Sequence, residues 1–465
     1  MRIHFLGGAQ TVTGSQFLLQ VEQTRFLIEC GLFQGRRSET YLRNKTFRYD
    51  PASLDFVLLS HAHIDHSGNI PNLVKSGFNG TIYATTATVD LCQLMLRDSA
   101  YLHERDAQWV NKIRGKKGEG AVEPLYTIDD AEAAMNQFVG IPYNRPFRIN
   151  DAVSVTFRDA GHILGSAGIL LEIHEKYRKI RLGFSGDVGR KSMPILRDPD
   201  YLRGLDVMIL ESTYGNRIHR PSTDMYERLS ALVEETTRLG GRIIIPAFAV
   251  GRTQLLVYML HKLTLQNRIR DIPIFVDSPL ACNATEVFRL HPECFDRETH
   301  RLFFRNQMDP FGFDRLEYIH DVEESKRLNS LNYPHIVISA SGMAEGGRVL
   351  HHLKHSIGDP RSLVLFVGYA AAETLARKLI DGHQQVRIFG EEYQVRCKVA
   401  AMDDFSAHAD RDQLLEYVSL QSPSRLKHLF LVHGEPEQAI PLQSAIRERG
   451  FRRVEYPAYG DVVEL

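Results

Sequence analysis

Residues 56 to 66 read Phe-Val-Leu-Leu-Ser-His-Ala-His-Ile-Asp-His. The first five form an apolar run that is typical of a buried strand. Four ligand-type side chains follow at once: His61, His63, Asp65 and His66. In an extended segment the first three project to one side, because side chains alternate with a period of two, whereas His66 turns to another face. We therefore predict that one loop at a sheet edge supplies ligands to two adjacent metal ions.

The ligand chemistry of this loop favours zinc, manganese or iron, which neutral imidazoles and a carboxylate suit. The cysteines argue against a thiolate site, because they are widely spread and contain no C-x-x-C pair. An odd number of cysteines also argues against a disulfide scaffold and indicates reduced thiols. The five are Cys30, Cys92, Cys282, Cys294 and Cys397.

Two Gly-flanked turns offer further ligands. Gly161-His162 follows one predicted strand, and Ser185-Gly186-Asp187 follows another. Taken alone, each is more often an ordinary turn. The alternative for the whole set is a solvated, His-rich loop that arose by chance, and the spacing of the first loop argues against it.

Outward from this loop the chain divides into three parts. Short strands broken by glycines precede it, and a helical pattern at about 85 to 113 follows it. After about residue 215, continuously apolar strands alternate with amphipathic helices, which predicts a doubly wound, mostly parallel sheet. Isolated strands return after this region. We therefore expect a first domain whose two parts, 1–214 and 395–465, are separated by an inserted domain, 215–394.

The composition limits the function classes. The chain has 465 residues, 43% of them hydrophobic, and a formal net charge of -1. Nucleic acid must therefore be bound by local positive surface, helix termini or metal rather than by global basicity. The N-terminus lacks the apolar core of a signal peptide, and no stretch is long enough to span a bilayer. We expect a cytoplasmic protein without a membrane partner, and without an appended RNA-binding module at either end.

The order H-x-H-x-D-H, then a lone His, then Gly-Asp, resembles the metallo-β-lactamase superfamily, whose fold is an αββα sandwich. The resemblance implies an α/β protein with two Zn²⁺ per chain, in which Asp187 bridges the two ions. A supporting acid of the family corresponds to Glu29, where Asp is more usual. The metal ligands that the resemblance implies are His61, His63, Asp65, His66, His162 and Asp187.

Three later segments narrow the resemblance to the β-CASP nucleases. Glu211-Ser212-Thr213-Tyr214-Gly215, Phe405-Ser406-Ala407-His408-Ala409-Asp410 and Val432-His433-Gly434-Glu435 look like the family's motifs A, B and C. The resemblance implies that Glu211 supports His408, which assists departure of the leaving oxygen, and that His433 completes a zinc shell. The RNA-cleaving branch has this last histidine, so RNA is favoured over DNA. The implied catalytic residues are Asp65, Asp187, Glu211 and His408.

Turns of the inserted domain are candidates for substrate binding. Backbone N–H groups at strand-to-helix turns can hold anions without raising the net charge, and Ser341 and Gly342 lie in such a turn. Arg252 and Arg348 add charge-assisted contacts, and Tyr369 is placed to stack on a base. The alternative for each is a packing role.

Two rival functions remain at this stage. The first is a small-molecule metallohydrolase or an iron redox protein on the same sandwich. The second is a non-catalytic scaffold subunit of an RNA-processing complex. The large insertion argues against the first, and the complete set of ligand-type residues argues against the second. The sequence does not decide between endonuclease and 5′-to-3′ exonuclease action, and it leaves a homodimer as one option for the oligomeric state.

Overall fold

The structure is a computed structural model that describes residues 1–35, 37–115, 120–221, 223–368, 370–371 and 373–465. The contacts within it divide the chain into two compact units. Unit 1 comprises Met1–Lys191, Asp198–Ile218 and His408–Leu465, and unit 2 comprises Ser192–Arg197 and His219–Ala407. Among the described residues, no helix combines the length and the apolar character needed to cross a membrane.

The strands of the described residues follow one another in chain order. They are β1 (Arg2–Gly7), β2 (Gln16–Val21), β3 (Thr24–Ile28), β4 (Phe56–Leu58), β5 (Thr81–Thr85), β6 (Phe138–Ile141), β7 (Phe147–Arg148), β8 (Val153–Asp159), β9 (Ala167–Glu175), β10 (Arg178–Phe184), β11 (Val207–Glu211), β12 (Ile243–Pro246), β13 (Ile274–Val276), β14 (Leu316–Tyr318), β15 (Ile336–Ser339), β16 (Leu363–Phe366), β17 (Gln385–Ile388), β18 (Glu391–Gln394), β19 (Lys398–Ala401), β20 (His428–Val432), β21 (Val454–Glu455) and β22 (Val462–Glu464).

The helices lie between these strands. They are α1 (Arg37–Lys45), α2 (Ile64–Ser67), α3 (Ile70–Lys75), α4 (Thr86–Gly115), α5 (Ile128–Met135), α6 (Thr223–Arg238), α7 (Arg252–Leu265), α8 (Pro279–Leu290), α9 (Arg297–Arg305), α10 (Val322–Leu328), α11 (Val349–Ser356), α12 (Leu375–Ile380), α13 (Arg411–Ser419) and α14 (Pro436–Glu448). Short 3₁₀ turns cover Pro51–Ser53, Pro292–Cys294 and Asp403–Phe405.

Unit 1 is a sandwich of two seven-stranded sheets, with orders β22-β1-β2-β3-β4-β5-β6 and β21-β20-β11-β10-β9-β8-β7. Their inner faces share one apolar core, in which the rings of Phe17 and Phe184 lie 5.4 Å apart. Strand β9 shows the alternation that builds this arrangement: Ile169 and Leu171 face the core, whereas Leu170 packs on the other side with residues of α13 and α14. Full burial of each such side chain contributes about 1.5–3 kcal/mol. The αββα sandwich expected from the sequence is confirmed.

Unit 2 is built on a six-stranded sheet of order β14-β13-β15-β12-β16-β19, in which every pair is parallel. Strands β12, β13, β15 and β16 are fully buried, as expected where helices cover both faces. Since parallel strands end at the same edge of a sheet, the turns after β12, β13 and β15 lie along one edge. The predicted doubly wound insertion is confirmed.

The limits of the inserted domain differ from the expected 215–394. Strand β19, which the sequence analysis assigned to the last part of the chain, pairs in parallel with β16 and belongs to the sheet of unit 2. Unit 2 therefore extends to Ala407, and it begins at His219 apart from the short segment Ser192–Arg197. Strand pairing between distant segments is not visible in local sequence patterns, so the periodicity alone misplaced this boundary.

Candidate metal centre

The loop after β4 is not fully extended, in contrast to the prediction. The backbone carbonyl of His63 accepts hydrogen bonds from the N–H groups of His66 (2.9 Å) and Ser67 (2.8 Å), so α2 begins directly after His63. Gly31 of the neighbouring turn comes so close to this loop that a Cβ there would lie 1.7 Å from the Asp65 carbonyl oxygen. The helical turn divides the ligand-type side chains into pairs: His61 and His63 go one way, and Asp65 and His66 the other.

The first pair, His61 and His63, lies close to two residues from distant turns, His162 and Asp187. His63 Nδ1 lies 3.1 Å from His61 Nε2 and 3.3 Å from His162 Nε2. Oδ2 of Asp187 lies 3.5 Å from the Nε2 atoms of both His61 and His162. Asp187 follows β10 through Gly186, whose positive φ of 57° carries it beneath Ser60, where a Cβ would meet the Ser60 Cβ at 3.0 Å. Four ligand atoms thus converge from three segments of unit 1.

The second pair meets His433, which follows β20. His433 Nε2 lies 3.1 Å from His66 Nε2 and 3.4 Å from Asp65 Oδ2. The other oxygen of Asp187, Oδ1, lies 3.4 Å from His66 Nε2. This oxygen is buried, and no described residue donates a hydrogen bond to it. Asp187 therefore belongs to both groups, with one carboxylate oxygen directed to each.

The geometry of the first group fits a tetrahedral metal ion. Ligand atoms about 2.0–2.1 Å from a tetrahedral zinc lie about 3.3 Å from one another, and the four here are 3.1 to 3.5 Å apart in the pairs given above. Burial lowers the pKa of His61 and His162, and it lowers the pKa of His63 to about 4. These imidazoles are neutral at pH 7 and present lone pairs, as metal binding requires.

Polar groups behind the ligands fix the orientation of the rings. The Ser60 hydroxyl donates to Glu29 Oε2 (3.0 Å) and lies 2.9 Å from His61 Nδ1, from which it accepts. His66 Nδ1 lies 2.5 Å from the same Glu29 oxygen. Both rings therefore turn their Nε2 atoms towards the centre. Glu29 is a hydrogen-bond partner here, and one hydrogen-bonded chain, which we call the Glu29 bridge, connects His61 through Ser60 and Glu29 to His66.

His433 has its own partner, the Thr213 hydroxyl, which lies 3.1 Å from His433 Nδ1. Neither Ser60 nor Thr213 was identified from the sequence as a supporting residue. Ser60 directly precedes the ligand His61, and Thr213 lies two residues after the motif acid Glu211. Closeness in sequence to these residues was therefore the available signal.

His408 and Glu211 form a pair beside the first group. Glu211 Oε1 lies 3.1 Å from His408 Nδ1 and accepts the backbone N–H of Val188 at 2.6 Å. Nε2 of His408 faces the centre, 3.9 Å from Asp187 Oδ2. Burial lowers the pKa of His408, but the carboxylates of Glu211 and Asp187 outweigh it and raise the pKa to about 9. His408 is therefore a protonated imidazole, held by Glu211 and pointed at the centre.

The candidate substrate residues that the structure describes all lie in unit 2. Ser341 Oγ donates to the Gly346 carbonyl (3.3 Å). Gly342 packs closely on Phe248, because a Cβ added at Gly342 would lie 3.2 Å from the Phe248 ring. The guanidinium of Arg252 lies over the Phe405 ring, 5.8 Å from its centroid. Tyr369 lies outside the described residues.

Arg348 occupies a place that the sequence did not indicate. Its Nη1 donates to Asp277 Oδ1 at 2.7 Å, and its Nη2 donates to the His320 carbonyl at 2.8 Å. The other carboxylate oxygen, Oδ2, accepts the Ser325 hydroxyl (2.6 Å) and lies 2.6 Å from His352 Nε2. We call this group the Asp277 cluster: Asp277, Ser325, Arg348 and His352. The side chain of Arg348 is 20% exposed and pairs with a fully buried carboxylate. Whether it also touches substrate stays a prediction.

Three family descriptions match successive parts of the chain. Residues 10–246 match the metallo-beta-lactamase superfamily, residues 253–379 the Beta-Casp domain, and residues 392–457 the Zn-dependent metallo-hydrolase RNA specificity domain. The first match covers half of the chain, and together the matches place it in a metal-dependent hydrolase family. The ligand-type residues of the centre could hold a metal ion and agree with this family.

Curated relatives and a solved structure agree with these matches. "Ribonuclease TTHA0252" of Thermus thermophilus is 35% identical over 465 residues, 100% of both chains. "Transcription termination factor FttA" of Methanocaldococcus jannaschii is 31% identical and aligns with 98% of this chain and 70% of its own length, and the Pyrococcus abyssi protein of the same name is 31% identical, with 100% and 71% covered. A crystal structure of a protein of unknown function from Enterococcus faecalis superposes with a TM-score of 0.57 at 13% identity, covering 100% and 99% of the two chains, which supports the fold alone.

Proposed function

Because this chain belongs to the metallo-β-lactamase superfamily and, within it, to the β-CASP family, we propose that it is a ribonuclease that hydrolyses RNA phosphodiester bonds at a centre of two zinc ions. The observation that carries the proposal is the convergence of two groups of ligand atoms on the two oxygens of Asp187. The family description names zinc, and the relative with full-length similarity is named a ribonuclease. The presence of two ions and the identity of the substrate as RNA are both parts of this proposal.

Each group of ligands would hold one ion. His61, His63 and His162 would bind the first, Asp65, His66 and His433 the second, and Asp187 would bridge them. When bound, zinc supplies a water activated near neutral pH and a Lewis acid for the phosphoryl oxygens. Asp65 and Asp187 supply the negative charge that the two cations need, and the Glu29 bridge keeps one ring of each group oriented.

The remaining chemistry belongs to His408. When the phosphodiester breaks, the departing ribose oxygen needs a proton, and a positioned general acid contributes about 100- to 10,000-fold to the rate. Glu211 holds His408 Nδ1, so Nε2 carries the transferable proton on the side of the centre. The cleaved bond then leaves a 5′-phosphate on one product and a 3′-hydroxyl on the other.

One experiment tests both the reaction and its metal dependence. RNA labelled internally and at either end, with a 5′-triphosphate, 5′-monophosphate or 5′-hydroxyl, is incubated with the purified wild-type protein and with the Asp187→Ala variant. We expect products with 5′-phosphates from the wild type and none from the variant. Cleavage that persists in the variant points to a contaminant. Wild-type protein that binds no metal and cleaves no RNA supports the scaffold alternative instead.

The division of roles between ligands and general acid has its own test. His408→Ala should keep its zinc, measured by elemental analysis, and lose about 100- to 10,000-fold in kcat. The double variant His61→Ala/His63→Ala should lose zinc. Equal zinc loss in both variants contradicts the assignment of His408. The cytoplasmic location expected from the sequence stays a prediction, and the five free, buried cysteines are compatible with it.

A further inference from the structure

Helix α4 is longer than its role in the sandwich requires. Its 30 residues span about 45 Å. The first half is packed into unit 1 through residues such as Leu91 and Leu96. Beyond Ala100, Ala107 is the one buried residue of this fully described helix. The second half of α4 is therefore covered along one side and open along the other.

The covered side holds the second half of α4 in place. The Asn111 side chain accepts from the backbone N–H of Val122 at 2.7 Å and donates to its carbonyl at 2.9 Å. Glu104 accepts the backbone N–H of Ile128 at 2.9 Å. These bonds fix the helix against the segment that returns along it, so the open side is a defined surface.

The open side is a stripe of aromatic, apolar and basic side chains. Positions 101, 105, 109 and 113 recur every four residues and therefore share one face of the helix. Tyr101 is 47% exposed, Leu102 54% and Trp109 61%. Trp109 is the single tryptophan of the chain. We call this surface the α4 platform: Tyr101, Leu102, Arg105, Trp109, Lys112 and Ile113.

The platform contains two cations, Arg105 and Lys112, and no acidic side chain, although the whole chain has a net charge of -1. From Ala107 to Gly115, the end of α4, the two ionisable residues are both basic, Lys112 and Arg114. Arg105 and Lys112 are exposed. Arg105 lies over the Tyr101 ring, 5.7 Å from its centroid. Two acidic residues, Glu104 and Asp106, flank Arg105 in sequence, and Glu104 accepts the Ile128 N–H on the covered side.

Aromatic faces interleaved with cations are the chemistry that binds single-stranded nucleic acid, because bases stack on rings and phosphates pair with Lys and Arg. We propose that the α4 platform binds single-stranded RNA and so provides a contact with the substrate in addition to the metal centre. This inference rests on the proposed function. A second copy of this chain would favour a more apolar surface with fewer charges than two cations among six residues.

The single tryptophan provides a direct readout of binding. Asp187→Ala protein, which is expected to bind RNA without cutting it, is titrated with an unstructured 30-nucleotide RNA while Trp109 fluorescence is recorded. We expect quenching that saturates and that disappears at high salt, since stacking places a base on the indole and phosphate contacts release counterions. Unchanged fluorescence while RNA binds, measured by filter retention, overturns the proposal.

Steady-state kinetics separate the platform from the metal centre. For the 30-nucleotide RNA, Trp109→Ala should raise KM about tenfold and leave kcat unchanged, whereas Trp109→Tyr should stay close to the wild type. Arg105→Glu/Lys112→Glu should flatten the slope of log KM against log salt by about 1.4, since each phosphate contact on a single strand contributes about 0.7. A hexanucleotide should be cleaved equally by all variants. Equal KM values for the long RNA in the wild type and both sets of variants overturn the proposal.

A matched control and two further outcomes complete the test. Tyr177 is a fully exposed aromatic residue between Lys176 and Arg178 in the β9–β10 hairpin of the same unit, so Tyr177→Ala should not change KM. If wild-type protein cleaves no RNA, the proposed function fails first. If it cleaves RNA normally while Trp109→Ala only converts a dimer to a monomer in sedimentation, the platform is a contact between copies and the RNA proposal is overturned.

Discussion

The metal centre of unit 1 and the Asp277 cluster of unit 2 use the same residue types in the same kind of place. Both contain a buried aspartate in the turn after a strand, together with buried histidine. They differ in where the polar atoms point. In the Asp277 cluster, Oδ1 accepts from Arg348 and Oδ2 accepts from Ser325, with His352 Nε2 2.6 Å away. In the metal centre, Asp187 Oδ1 accepts no hydrogen bond from any described residue, and ring nitrogens face one another.

This contrast separates a binding site from a structural one. Converging lone pairs repel one another, so such an arrangement needs positive charge at its centre, which a metal ion supplies. Burial lowers the pKa of His66, but the carboxylates of Asp187 and Asp65 outweigh it and raise the pKa, so a proton supplies this charge when no metal is bound. A carboxylate whose oxygens are each hydrogen-bonded needs no ion. The composition of a His and Asp cluster therefore does not identify a metal site. The direction of its lone pairs does.

The largest effect is expected from a substitution in the metal centre. Asp187→Ala removes the bridging carboxylate, so we expect zinc content to fall and RNA cleavage to drop at least about 1,000-fold, because metal catalysis supplies several kcal/mol. Hydrogen exchange of the amides around Asp277 should stay at the wild-type level. Wild-type zinc content in this variant, measured by elemental analysis, would contradict the bridging role.

The next largest effect is expected from substitutions in the Asp277 cluster. Asp277→Ala leaves the buried side chains of Ser325 and His352 without their shared acceptor, and we expect unit 2 to lose about 1–3 kcal/mol of unfolding free energy. Ser325→Ala removes one hydrogen bond to the same carboxylate and should cost about 0.5–1.5 kcal/mol. Hydrogen exchange of peptides from β13 and α11 reports the change, and zinc content should not move. A loss of zinc in Asp277→Ala would place this cluster with the metal sites.

A smaller effect sharpens the comparison within the metal centre. Ser60→Ala removes the hydroxyl that orients His61, and we expect zinc affinity to fall about 10- to 100-fold in a chelator competition. Ser67→Ala is the matched control, because its hydroxyl in the same loop bonds the backbone carbonyls of Ala62 and His63 rather than a ring. Equal affinity losses in the two variants would mean that general damage to the loop, not ring orientation, is being measured.

The smallest effect depends on pH. Burial raises the pKa of Asp277, but hydrogen bonds from His352, Ser325 and Arg348 outweigh it and hold the pKa below the ordinary 3.8. A depressed carboxylate pKa stabilises the fold above the unfolded value, and the contribution is lost as the pH falls from about 4 through the folded value. Unfolding of unit 2 in urea should therefore become easier below about pH 4, and Asp277→Asn should flatten this dependence. An unchanged slope would exclude Asp277 as its source.

Much of the fold followed from local patterns. The apolar run before His61 predicted β4, and continuous apolar strands after residue 215 predicted the parallel sheet of unit 2, because burial on both faces leaves that signature. The ligand-type residues His162 and Asp187 could also be identified from local sequence, because both stand in Gly-flanked turns that follow strands. The family matches confirm the fold class and the membership that these motifs indicated.

The remaining features depend on contacts that sequence spacing does not reveal. The alternation rule grouped Asp65 with His61 and His63, but the hydrogen bonds that begin α2 turn Asp65 towards His66 and His433. The partner of Arg348, Asp277, lies 71 residues away in the chain. Strand β19 was assigned to the wrong unit, because its pairing with β16 is equally non-local.

The Glu29 bridge has a consequence for how this protein can vary. One carboxylate holds a ring of each metal group, so a substitution at position 29 or 60 affects both groups at once. Residues in one hydrogen-bond network have non-additive effects, commonly about 0.5–3 kcal/mol. Positions 29 and 60 are therefore expected to be epistatic. In a lineage that retains both ligand groups, selection acts on the pair, and a replacement tolerated at one position depends on the residue present at the other.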